Sequence, residues 1–126
     1  MTMSNYLSEK LLSHTLRNIA YTPPATVYVA LFTVIPDAAN AGGTEVTGGS
    51  YARRPVAFLA PAAGTTYNSA VVTFSAMPAS IVVGAALYDA ISGGNLLFVG
   101  PYSYRRTVAA GTDLSVMVGD IVAVMH

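Results

Sequence analysis

The chain has 126 residues and a mass of 13.0 kDa; 53% of it is hydrophobic, six residues are basic, six are acidic, and the formal net charge is zero. One domain with a real core fits that length, and a charged share of 10%, against ~25% in an ordinary soluble domain, excludes disorder and argues against nucleic-acid binding through a basic face. The absence of cysteine excludes disulfides, a thiol nucleophile and a cysteine metal site, and no stretch of about 18 residues is apolar enough for a spanning helix.

Met1 to Lys10 lacks the basic start and apolar core of a secretory signal. The same segment opens a helix expected over about residues 5–19. Ser4 is the candidate N-cap, Glu9 lies towards the positive end and Arg17 towards the negative end. Leu7, Leu11, Leu12, Leu16 and Ile19 form one apolar stripe, and Pro23-Pro24 forbids continuation. The run from Thr26 to Val34 is β-branched and aromatic on both faces, which predicts a strand covered on both sides. Pro36 to Gly49 reads as a long contact loop. Strands are expected over Tyr51–Ala60, with Pro55 marking an edge, and over Ala70–Ser75, with a turn at Pro61–Thr66. Ile81–Asp89 follows, with Gly84 as a bulge. Ser92-Gly93-Gly94-Asn95 is a hairpin turn leading into Leu96-Leu97-Phe98. Tyr102–Val108, Leu114–Val118 and Ile121–Met125 complete the set.

The predicted fold is therefore mainly β: a β-sandwich or jelly-roll-like domain of seven or eight short antiparallel strands with one N-terminal α-helix. We expect a single domain over residues 1–126, with a helical arm at 1–22 and the sandwich at 23–126. A neutral, charge-poor surface favours burial against copies of the chain or against a larger assembly.

Chemistry-bearing constellations are sparse. His14 lies on the helix, His126 ends the chain, and Ser13 beside His14 does not face it. The chain has no Gly-x-Ser-x-Gly elbow. Glu9, Asp37, Glu45, Asp89, Asp113 and Asp120 form no paired-carboxylate pattern, and the aspartates beside turns suit backbone capping better than Ca²⁺ binding. Gly42-Gly43 and Gly48-Gly49 flank Glu45 without the Lys-Ser/Thr of a phosphate loop. We therefore expect no catalytic, cofactor-binding or metal residues. Arg53-Arg54 and Arg105-Arg106 hold four of the six cations. In a strand each pair splits across the two faces, so one arginine of each must reach a rim, a partner or an internal carboxylate. Five arginines against one lysine lean towards ion pairing between subunits. Eight tyrosines, with Tyr51, Tyr67, Tyr102 and Tyr104 near turns or arginines, fit an interface or a carbohydrate-binding face.

Several segments carry a family resemblance. They are Tyr6-Leu7 through Leu11-Leu12, Leu16-Arg17-Asn18, and Tyr21-Thr-Pro-Pro-Ala-Thr-Val-Tyr-Val-Ala-Leu-Phe-Thr33. Gly43-Thr-Glu-Val-Thr-Gly-Gly-Ser-Tyr-Ala-Arg53, Asn68-Ser-Ala-Val-Val-Thr-Phe74, Leu87-Tyr-Asp-Ala and Gly93-Gly-Asn-Leu-Leu97 continue it, and Thr107-Val, Ala110-Gly, Leu114 and Gly119-Asp120 close it. Together they resemble small bacteriophage virion structural proteins labelled tail-fibre or capsid decoration (cement) proteins. Over Met77–Ala86 the chain departs, lacking the Trp and Gly-x-Val that relatives often carry. The resemblance implies a virion part and not an enzyme. Of the two labels we favour decoration: a small symmetric oligomer, a trimer in expectation, that clamps the major capsid protein on the capsid surface. The alternative is a tail fibre, spike or baseplate component with a host-sugar site near Tyr51, Tyr102 or Tyr104. The chain lacks the repetitive or coiled-coil shaft of a long fibre, which weighs for decoration. A free carbohydrate-binding module or small hydrolase is the remote alternative. The expected partners are copies of the chain and other virion proteins, without direct nucleic-acid or membrane contact. The helix stripe and the 36–50 loop are the expected contact elements.

Overall fold

The computed structural model describes residues 1–125, the side chains of Ser103 and Tyr104 apart. In chain order the elements are β1 (Thr2–Met3), α1 (Asn5–Leu16), β2 (Val27–Val34), β3 (Thr44–Glu45), β4 (Arg54–Val56), β5 (Thr65–Tyr67), β6 (Val72–Phe74), β7 (Ser80–Tyr88), β8 (Leu96–Val108), β9 (Leu114–Val116) and β10 (Val122–Val124). The fold is mainly β with antiparallel pairing throughout, as predicted, although the described residues hold ten strands where seven or eight were expected. Leu96-Leu97-Phe98 and Tyr102–Val108 belong to one strand, whereas β1, β3 and β5 were not anticipated.

The main sheet has the order β1-β8-β7-β2, and β3 and β4 share the remaining edge of β2. Phe32 stands opposite Glu45, and Val29 opposite Arg54. Pro55 sits on the edge strand β4, where its missing N–H interrupts no inner ladder. The expected strand over Tyr51–Ala60 shrinks to these three residues, with Phe58 bridging singly to Asn68. Two ribbons, β5–β10 and β6–β9, form the second layer. Val29, Leu31, Val82 and Leu87 of the sheet meet Val72, Phe74, Leu114, Val116 and Ile121 of the ribbons and their flanks, and this is the main core. The opposite face of the sheet buries Ala30, Phe32, Ala86, Tyr88, Leu96 and Val99. Both faces of β2 are thus covered, which explains its unbroken apolar run.

Two glycines are required by geometry. A Cβ on Gly84 would lie 2.4 Å from the Ile35 side chain and 2.7 Å from the Gly100 carbonyl oxygen. The β7–β8 register shifts between Val82 and Gly84, which confirms the bulge. Gly94, at φ +75°, closes the 92–95 turn, and a Cβ there would meet the Asp89 carboxylate at 2.5 Å.

The helix starts where expected. The Ser4 side-chain oxygen accepts the Leu7 N–H at 3.1 Å, while the Ser4 hydroxyl donates to the Leu96 carbonyl and its N–H to the Leu97 carbonyl. The helix ends at Leu16, three residues before the expected Ile19. Asn18 takes a left-handed φ of 54°, and the Arg17 and Ile19 N–H groups both return to the Ser13 carbonyl, which terminates the turn. No helix among the described residues is long and apolar enough to cross a membrane.

Candidate functional site

Each arginine pair splits, one side chain outward and one inward: Arg105 and Arg106 alternate within β8, and Arg53 stands just ahead of β4, which Arg54 opens. Arg54 and Arg105 are exposed; Arg53 is 8% exposed and turns inward. Its Nε and Nη2 donate to the two Glu45 oxygens at 3.0 and 2.9 Å, and Nη1 donates to the Ala90 and Gly93 carbonyls at 3.0 and 2.8 Å. The guanidinium lies 3.9 Å from the Tyr88 ring centroid. Burial opposes the charge, but the hydrogen bond and charge of Glu45 outweigh it and hold the Arg53 pKa above its ordinary value. Tyr51 completes the cluster. Its hydroxyl donates to Glu45 Oε2 at 2.7 Å and accepts the Leu31 N–H at 2.9 Å, and its ring stacks on Phe74 with centroids 5.9 Å apart. This network ties the 44–45 edge and the 90–93 turn to the main sheet. Pairing between subunits is therefore corrected for Arg53: its carboxylate is internal. Arg106 is likewise used internally, bonding Asp120 at 3.2 Å and the Ser115 carbonyl at 3.0 Å.

Glu9 lies within α1, and the four aspartates cap turns. Asp37 accepts the Ala39 and Ala41 N–H groups, Asp89 accepts from Asn95, Asp113 from the Ala76 N–H, and Asp120 from the Met117 N–H. Among the described residues no group of three His, Asp or Glu side chains could hold a metal ion. His14 is exposed, and its Nδ1 lies 3.1 Å from the Ile19 carbonyl at the helix end. His126 and the Tyr104 side chain lie outside the described residues. Tyr51 is occupied by Glu45, so it does not join Tyr102 in a free sugar-binding face. The Tyr102 hydroxyl is buried without a hydrogen-bond partner among the described residues, and its ring lies 4.8 Å from the Arg106 guanidinium.

What the surface offers instead is apolar contact. Leu7 is buried and Leu11 packs against the core, whereas Leu12 and Leu16 are 57% and 74% exposed and Ile19, past the helix end, is 46% exposed. Most of the 36–50 loop is exposed, anchored by Val46 and by the Tyr88 hydroxyl donating to Asn40 at 2.7 Å. Between the main sheet and the β5–β10 ribbon lies an open apolar slot of about 640 Å³. Val27, Leu87, Leu97 and Phe98 line it from the sheet, and Thr66 and Ala123 from the ribbon.

A protein-family model described as podophage GP4 fiber I protein gp80 matches residues 2–123. The chain belongs to this phage fibre family. A comparison with curated proteins found no match. Membership in the fibre family makes the protein a bacteriophage virion structural protein, as the resemblance implied. The family's description stands with the tail-fibre alternative and not with the favoured decoration reading. The missing shaft, weighed for decoration, does not separate the two, because the fibre family spans this compact sandwich nearly end to end.

Two features of the chain escaped the sequence reading. The slot arises from distant segments and has no local signal. Asn68 is fully buried: its amide donates to the Ala70 and Met117 carbonyls, and its oxygen accepts the Gly119 and Ile121 N–H groups. A lone asparagine ahead of a short strand looks like ordinary turn chemistry, so this cross-link was hidden.

Proposed function

We propose that the chain is a component of the phage tail fibre that works by binding. The observation that carries this reading is the fibre-family match over residues 2–123. Exposed apolar side chains on a charge-poor surface support it, because such a surface is suited to burial in an assembly. In this reading the functional unit is a symmetric homo-oligomer, with a trimer as the expected count, seated against other virion proteins.

Gold-labelled antibodies raised against the chain test the assignment in electron micrographs of intact particles. Label confined to the tail region is the expected result. Label spread over the head surface would overturn it and restore the decoration reading.

A further inference from the structure

Between the start of α1, the 36–50 loop and the 92–95 turn lies a cleft of about 360 Å³. Asn5, Tyr6 and Glu9 line it from the helix, Asn40 from the loop and Asn95 from the turn, while loop alanines and Leu96 add apolar surface. We propose that this cleft binds a neutral sugar ring. The site is separate from Tyr51 and Tyr102, and it does not rest on the tail assignment.

The two asparagines outside the helix are already oriented by the protein. Asp89 accepts from the Asn95 backbone N–H at 2.7 Å and from its Nδ2 at 2.9 Å, which fixes the amide and leaves Oδ1 as an acceptor. The Tyr88 hydroxyl donates to Asn40 Oδ1 at 2.7 Å, which leaves Nδ2 as a donor. The surrounding backbone is pinned as well: Arg53 donates to the Ala90 and Gly93 carbonyls, and the Asn5 N–H to the Ala38 carbonyl at 2.9 Å. Groups fixed in advance lose little freedom when a ligand arrives. Among the described residues the side chains of Asn5, Tyr6 and Glu9 make no hydrogen bond or ion pair with the protein, so their polar atoms are open to a ligand. A sugar hydroxyl both donates and accepts, and a sugar ring carries several beside its C–H faces. Donors, acceptors, one aromatic ring and a little apolar surface in one small volume match that pattern. Other ligand classes fail on particular residues. No Lys or Arg lines the cleft, and the Asn5 and Leu7 N–H groups are spent on Ala38 and Ser4, so an anion finds no counter-charge. No group of three His, Asp or Glu side chains among the described residues could hold a metal ion. A purely apolar guest would cover the amides and the Glu9 carboxylate without giving them partners. The volume lies near the lower end of the about 300–1,000 Å³ of small-molecule sites, enough for one ring and not for a long chain.

Amide NMR of the isotope-labelled chain tests the site. Neutral hexoses, deoxyhexoses and N-acetylhexosamines are titrated one at a time, with glycerol as the control polyol. At least one sugar is expected to shift the Tyr6, Asn40 and Asn95 amides and to saturate, with a dissociation constant of about 1 mM or weaker, as a few hydrogen bonds in an open cleft give. Glu9→Gln and Asn40→Asp each weaken that binding about fivefold or more. Asn40→Asp keeps the acceptor for Tyr88 and exchanges the free donor for an acceptor, and Asp tolerates the left-handed φ of 63° at this position. Arg54→Gln, at an exposed residue of β4, leaves binding unchanged. Amide spectra that match the wild type away from the cleft confirm that the variants fold. The same sugar at the end of an oligosaccharide is then compared: tighter binding identifies a glycan terminus as the ligand, and equal binding a free sugar. The proposal is overturned if no sugar shifts the cleft amides, if glycerol shifts them equally, or if both cleft variants bind like the wild type.

Discussion

The Tyr51 hydroxyl has two partners in the interior, the Glu45 carboxylate and the Leu31 N–H, whereas the Tyr102 hydroxyl has none among the described residues. Removing a satisfied buried hydroxyl leaves its partners unpaired, and removing an orphan relieves a desolvation cost. Tyr51→Phe is therefore expected to lower unfolding stability by about 1–2 kcal/mol in denaturant titrations, and Tyr102→Phe to leave it unchanged or raise it by up to about 1 kcal/mol. The pH dependence follows the same groups. Burial raises the Tyr51 phenol above its ordinary 10.0, with the Glu45 carboxylate adding to the rise against the Leu31 N–H. Below pH 10 folded and unfolded chains both hold that proton, and its contribution is whole. Above it the unfolded chain ionises first, so stability falls as pH rises, and Tyr51→Phe should show a shallower alkaline decline. At this scale the sequence was legible where chemistry is local. Ser4 capping, the turn aspartates and the split of each arginine pair all follow from neighbours along the chain. Arg53 and Glu45 stand eight residues apart across a turn-rich loop, and nothing in that spacing says that they meet.

Among the elements, the helix shows what periodicity can and cannot give. Its leucines look like one stripe in the sequence but lie on two faces: Leu7 and Leu11 turn towards the core, whereas Leu12 and Leu16 lie on the far side of the helix, so that Leu7 is 8% exposed and Leu16 74%. Leu7→Ala should cost the isolated protomer about 2–4 kcal/mol, while Leu16→Ala should stay within about 0.5 kcal/mol. Thermal unfolding at low concentration separates the two, and equal losses would contradict the packing described. Strands β2 and β7 and the Ser92–Asn95 hairpin were legible because they carry enough residues for a pattern, Pro55 and Gly84 kept their edge and bulge positions, and β8 was read as two pieces broken at Gly100-Pro101. The missed strands β1, β3 and β5 have two or three residues each, too few for any alternation to register. They exist because a partner strand presents an open edge.

For the whole molecule, composition spoke before any motif did. Few charges, zero net charge and many apolar residues point outwards to assembly, and the structure places part of that apolar material on the surface. The sandwich class was readable from strand spacing, and the virion from a resemblance along the chain. The place within the virion was not readable, because a clamp and a fibre component can use the same compact sandwich. Copy number distinguishes them. Mass spectrometry of separated heads and tails, quantified against the major shell protein, tests the tail-fibre assignment most directly. A small, fixed number of copies travelling with tails is the predicted result. Copies in near-integer ratio to the shell protein in the head fraction would contradict it.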